Sequence, residues 1–216
     1  MKDKFTIEDF LIKIIPGGIL LGVLYFLYGT ELNIKIPKEL DIFVTTIFFV
    51  FAFLTGEIIQ TIAHEFEWLI DIFYKFYRPS KIFLYKKNPV IKNEKIRENI
   101  IEYLSLPESE KIMFDLEYNK LPIFKKRQKQ EISQSYFWKL YSKVSDEPII
   151  NVFNRNYLYT RAIVFLFLIL SILFFINNYT NLFFLCLVLF LIFLWRARGM
   201  ARTLVFKTII LNLKGK

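Results

Sequence analysis

The stretch IFVTTIFFVFAFLTGEIIQTIAHEFEW, Ile42 to Trp68, decides the fold. From Ile42 to Thr55 it carries no charge. Glu57, Gln60, His64 and Glu67 then follow in quick succession, with Asp71 just beyond. His64 is the only histidine in the chain. An α-helix turns about 100° per residue, so these five polar side chains share an arc of about 80°. The opposite face has Ile58, Ile62, Glu65 and Leu69. The polar groups therefore form a stripe, and hydrophobicity is not lost all round. The stretch reads as an apolar helix that acquires one polar edge where it leaves a membrane.

The rest of the composition requires that membrane. Of 216 residues, 55% are hydrophobic and 19% aromatic, with 25 Phe; mean hydropathy is +0.38. A soluble domain this short has too little interior for so many large apolar side chains. A span needs about 20 apolar residues. The first candidate runs from Phe10 to Tyr28, interrupted by Lys13, and the second from Ile42 to about Ile62. The third runs from about Tyr157 to Ile176. The fourth, Leu182 to Trp195, is short and must draw on flanking residues or locally thinner lipid. NNYTN, Asn177 to Asn181, turns the last two into a hairpin. Asp3, Glu8 and Asp9 spoil a basic leader region, so the first span is expected to stay as an anchor. The expected fold is an all-α integral membrane protein with four transmembrane helices and a helical cytoplasmic insert between the second and third. Residues 1–74 form the first hairpin with a cytoplasmic extension of its second helix, 75–156 the insert, and 157–216 the second hairpin with a basic tail.

Lysine and arginine set the orientation. The loop from Gly29 to Asp41 balances Lys35 and Lys38 against Glu31, Glu39 and Asp41, and Asn177 to Asn181 is uncharged. Lys75 to Arg155 is rich in both cations, and Arg196, Arg198, Arg202, Lys207 and Lys214 follow the last span. Both termini and the insert are therefore expected on the cytoplasmic side. The formal +9 charge then lies against its anionic leaflet, with Arg196, Arg198 and Arg202 as the candidate lipid-surface cations. Nucleic-acid binding by the same charge lacks an accompanying RNA- or DNA-binding motif. A single cysteine, Cys186, excludes an internal disulfide framework and a cysteine-cluster zinc site within one chain.

The insert reads as helical. Asn93-Glu94-Lys95 opens a run with Ile96, Ile100, Ile101 and Leu104 on one face, and Pro107-Glu108-Ser109-Glu110 opens another. Lys125 to Val144 forms a third helix, polar at first and apolar later. KIFLYKK, Lys81 to Lys87, fits a short strand or an interfacial segment. Tyr136, Phe137, Trp138 and Tyr141 offer more aromatic surface than one short insert is expected to bury alone, which points to a homo-oligomer.

Chemistry is sparse. The chain has no phosphate-binding loop, dinucleotide fingerprint, nucleophile elbow or zinc-protease motif; His64-Glu65 starts the last of these, but Trp68 stands where its second histidine belongs. No cofactor is implied. The reading is non-enzymatic. The competing classes are a membrane-embedded enzyme using His64 with Glu57 or Glu67, and a membrane-anchored nucleic-acid-binding module.

The polar stripe supports three readings: a network that fixes the bundle, the lining of a pore in an oligomer, or a metal site on His64 and Glu67. Glu57 and Lys13 both lie about 5–8 Å inside the cytoplasmic ends of their spans at about 1.5 Å per residue. The two spans are antiparallel neighbours. Gly18 and Gly22 on the first, with Ala52 and Gly56 on the second, give small faces that let backbones approach. A Lys13–Glu57 ion pair, with Gln60 or His64 as a second contact, is therefore expected.

The layout resembles a group of small bacterial four-span proteins found beside antiviral systems. The shared features are an early IIPGG; a second span ending with Gly56, Gln60, His64 and Glu67; a helical insert; Arg155-Asn156 before the third span; and the basic run RARGMAR after the fourth. It is similar in plan to the multi-span accessory membrane proteins of type VI-B CRISPR loci. That resemblance implies an oligomeric inner-membrane accessory or effector that alters membrane integrity, or regulates a cytoplasmic nuclease, during infection. Membrane lipids, further copies of the chain and that nuclease are the expected partners, and RNA binding has no motif to support it.

The charge asymmetry yields a topology test. A reporter fused after Asn178 should read as periplasmic and one after Ser133 as cytoplasmic, and the reverse pattern would overturn the depth assigned to Glu57.

Overall fold

The computed structural model describes residues 7–32, 42–66, 78–88, 90–117 and 123–215. Among these, eight helices follow one another: α1 (Ile7–Tyr28), α2 (Ile42–Glu65), α3 (Pro79–Ile82), α4 (Glu94–Tyr103), α5 (Glu108–Phe114), α6 (Ile123–Val144), α7 (Pro148–Ile176) and α8 (Thr180–Lys214). Four of them, α1, α2, α7 and α8, are long and apolar enough to cross a membrane. The protein is thus an all-α, multi-pass membrane protein. Helices suit that setting because each satisfies its own backbone polar groups where no water can. The one pairing outside helices among the described residues is an isolated bridge between Lys86 and Glu117.

The chain divides into two compact units. The first comprises Met1–Trp68 with Arg155–Ala197, and the second Leu69–Asn154 with Arg198–Lys216. This boundary departs from a division into two hairpins around an insert. Helix α8 does not end with its apolar run at Trp195. It continues unbroken to Lys214, and Val205, Ile209 and Asn212 are buried in the second unit. The basic segment is a working part of that unit's core and not a tail.

Within the first unit, α7 is the central helix. Of its most apolar stretch 56% is buried, against 17–22% for the other three spans. Its buried Ala162, Ile163 and Leu166 pack in one cluster with Leu27 of α1, Ile59 of α2 and Cys186 of α8. At the far end of α1, the Asn177 amide donates to the Tyr28 hydroxyl at 2.8 Å and to the Leu173 carbonyl at 2.9 Å. Asn178 then reverses the chain at φ 59°, a left-handed position that asparagine tolerates better than most residues.

The second unit is organised around two buried polar side chains, Arg97 and Asn88. Arg97, 2% exposed, donates from Nε to the Leu84 carbonyl at 2.7 Å and from Nη2 to the Phe114 carbonyl at 2.8 Å. It also meets Glu94 and Asp115 at 2.8 and 2.9 Å. The Asn88 side chain donates to the carbonyls of Phe83 and Tyr85 and accepts from the amides of Val90 and Ile91. These two residues fold KIFLYKK inward: Ile82, Phe83, Leu84 and Tyr85 are all essentially sealed from solvent. The segment is core, neither strand nor interfacial. Helix α4 starts as read, with the Asn93 side chain accepting from the Lys95 amide. Tyr136 donates to Glu110 at 2.8 Å. Burial first, then that bond and the carboxylate charge, push the Tyr136 hydroxyl pKa up to about 12. Phe137 is buried, and Tyr136 and Tyr141 pack against the same core. Of the four aromatics expected to need a second copy, three are absorbed within the chain and only Trp138 stays half exposed. Finally, the Asn212 amide donates to the Leu140 carbonyl at 3.0 Å, which ties the end of α8 to α6.

Candidate functional site

The polar stripe begins where α1 and α2 cross. A Cβ placed on Gly56 would overlap the Lys13 carbonyl oxygen, and one on Gly17 would overlap that of Ala52. The two backbones are therefore in contact, with no side chain between them. Pro16 stands beside this point. It lacks an N–H and its ring crowds the carbonyl four residues back, so α1 is loosened just where it meets its neighbour. The expected small face is rotated by one residue. A Cβ placed on Gly18 would lie an ordinary 3.9 Å from the Ala52 side chain, and one on Gly22 would meet nothing within 4 Å. Lys13 and Gly17 are one turn apart, so the turn that brings Gly17 onto α2 also brings Lys13.

Lys13 Nζ forms an ion pair with Glu57 Oε2. The ammonium also lies 5.1 Å from the centre of the Phe53 ring, and Phe53 stacks on Phe10 at 5.6 Å. The cation is thus held between a carboxylate and an aromatic face, an arrangement that gains strength as water is excluded. Its second contact is Phe53. Among the described residues, neither Gln60 nor His64 hydrogen-bonds to Glu57. Gln60 is half-buried and His64 is exposed, two turns or about 10 Å along α2 from Glu57. Glu67 and Asp71 lie outside the described residues. The pairing of His64 with Glu57 that an enzyme would need is not brought together, since Glu57 is engaged by Lys13. Among the described residues, no three His, Cys, Asp or Glu side chains gather as metal ligands.

The basic residues divide. Arg196 is exposed beside Trp195, while Arg198 and Arg202 are half-buried. A tryptophan followed by arginines at the end of a span is the usual marking of a membrane–water boundary. Two residues escaped the reading of the sequence. Small-residue spacing alone does not fix helix rotation, so the sequence points to Gly18 where the packed helices use Gly17. Arg161 is 8% exposed within the first unit, with its guanidinium carbon 6.0 Å from the Tyr157 ring. Its signal was present as a lone arginine directly before the run AIVFLFLILSILFFI.

The chain matches no family model, no curated protein and no solved structure. Its function must be argued from its own geometry.

The crossing makes a sharp prediction. Gly56→Ala forces a methyl into a backbone carbonyl and should cost about 1–3 kcal/mol, as overpacking does, read as a lower melting point in mild detergent. Gly22→Ala adds its methyl to open space and should cost nothing. Equal behaviour of the two variants would mean that the helices do not cross here.

Proposed function

We propose that the protein is a non-enzymatic, oligomeric accessory or effector of a prokaryotic antiviral defence system in the inner membrane. It acts by altering membrane integrity or by regulating a cytoplasmic nuclease partner. The observation that carries this reading is that α8 belongs to both units. Residues up to Ala197 lie in the first, and the same helix continues as part of the second unit's core to Lys214. A continuous hydrogen-bonded helix is stiff, so an event on the second unit has a direct mechanical route into a membrane span. The polar chemistry favours the same reading. Lys13 and Glu57 of the first hairpin are spent on each other, and buried Arg97 of the second unit is spent on its own core.

The joint is testable at Gly199, where an added side chain meets open space. Gly199→Ala should keep or strengthen the helix. Gly199→Pro should break it at a cost of about 3 kcal/mol while leaving each unit's packing in place. In cells carrying the defence system, the proline variant should lose its effect on dye entry and on nuclease-dependent phage protection, and the alanine variant should keep both. A fully active proline variant would contradict coupling through α8.

A further inference from the structure

At the turn of the second hairpin, α7 and α8 flank a cavity of about 170 Å³. Phe174 and Phe175 line it from the end of α7, Phe183 and Phe184 from the start of α8, and Asn178 and Thr180 from the turn between them. The fold sets these walls. Phe174 is 5% exposed, and its ring meets Tyr179 edge to face at 6.2 Å. The Phe183 ring lies 5.5 Å from that of Phe175 and 5.1 Å from that of Phe184. We infer that this cavity holds the ester end of one acyl chain of a phospholipid from the surrounding bilayer.

Size and chemistry limit the occupant first. A void of about 150 Å³ with aliphatic and aromatic walls takes a benzene-sized apolar group, so this one takes a short length of hydrocarbon and not a whole lipid. None of the six lining residues is ionisable, and Asn177 to Asn181 carries no charge either. A phosphate or an ammonium ion would find no counter-charge here. Apolar walls with a few polar groups at one side are the make-up of a small-ligand site. The Asn178 amide and the Thr180 hydroxyl can each donate to a carbonyl, and an ester supplies one.

Position then names the source. Phe175 and Phe184 are 67% and 56% exposed on helices long and apolar enough to cross a membrane. The cavity therefore opens onto surface that acyl chains cover. Its level selects the part of the chain. Phe174 and Phe175 close the apolar run of α7, and the polar turn begins two residues later at Asn177. That is where the hydrocarbon of a bilayer gives way to its ester and headgroup layer. A phospholipid presents methylenes and then an ester carbonyl in the order that the phenylalanines and then Asn178 and Thr180 receive them. Phe174 also packs in the cluster that joins α7 to Leu27 and Ile59, so a chain seated against it extends the core of the first unit into the lipid.

The inference rests on the membrane-spanning helices and not on the defence role. The full chain is reconstituted into vesicles of phosphatidylethanolamine and phosphatidylglycerol. These carry a trace of phospholipid with a photoreactive diazirine placed either beside the ester or at the chain end. Phe43 is the reference. It is 69% exposed, and because α2 runs antiparallel to α1 it lies level with Tyr28, which meets Asn177. The ester-side probe should label Phe174 to Phe184 several-fold more densely than Phe43, and the chain-end probe should show no such excess. Thr180 is exposed. Thr180→Trp fills the cavity and should abolish the excess while Phe43 is labelled as before; Thr180→Ala leaves the cavity open and should keep it. Equal labelling at the two places, or an excess that survives Thr180→Trp, would overturn the inference. Loss of the excess on adding tetramethylammonium would also overturn it, in favour of an aromatic cage for a cation. The two-probe comparison on the parent chain decides even where a variant does not fold. Carbonate extraction separates the failures: release from the membrane would contradict the spans themselves, whereas a retained chain without the excess contradicts only the lipid site.

Discussion

Backbone contact between α1 and α2 is the constraint on which the first unit depends. Small residues at Gly17, Ala52 and Gly56 let the two helix backbones touch, and only that approach brings Lys13 onto Glu57. Sequence order then matters. Lys13 lies one turn from Gly17 and Glu57 directly follows Gly56, so packing and charge neutralisation are set by the same few residues. In lipid there is little hydrophobic force to pull helices together, and close packing with internal polar pairing takes its place. A lone charge short of the bilayer centre costs roughly 1–3 kcal/mol. The pair avoids two such costs at once, although its net contribution over two apolar residues is small.

The second unit answers the same problem with different means. Arg97 is sealed from water, and its guanidinium is satisfied by two main-chain carbonyls and two carboxylates. Those carbonyls belong to Leu84 and Phe114, so one side chain fixes two segments that have no sheet or long helix to hold them. Asn88 does likewise over a shorter range. Polar groups here are structural fasteners, which leaves surface residues such as Trp138 as the places where outside contacts can form.

Much of this was legible in the sequence, and the exceptions have physical causes. The four spans follow from apolar run length; in the insert, Asn93 marks the start of α4 because its side-chain cap is local, and Pro107 marks that of α5 because its ring fixes φ. The Lys13–Glu57 pair was readable from depth alone, since two opposite charges at one level on neighbouring helices have few alternatives. Rotation was not readable: Gly17 and Gly18 differ by one residue, and only the packed partner decides which faces it. The continuation of α8 was hidden because its apolar signal stops at Trp195, while Val205, Ile209 and Asn212 show only a sparse helical period. KIFLYKK was misjudged because a short apolar run flanked by lysines looks the same whether it lies on a membrane or under one arginine and one asparagine.

The central claim is that the polar stripe is first a structural network anchored on Lys13 and Glu57. A double-mutant cycle in detergent tests it most directly, with melting measured for Glu57→Ala, Lys13→Met and the combined Lys13→Met/Glu57→Leu. Each single change leaves a charge without its partner and should destabilise by about 1–3 kcal/mol, while the double change should return close to the parent stability. Glu57→Ala as stable as the parent yet inactive in cells would contradict the account and assign Glu57 to a pore or an ion site instead.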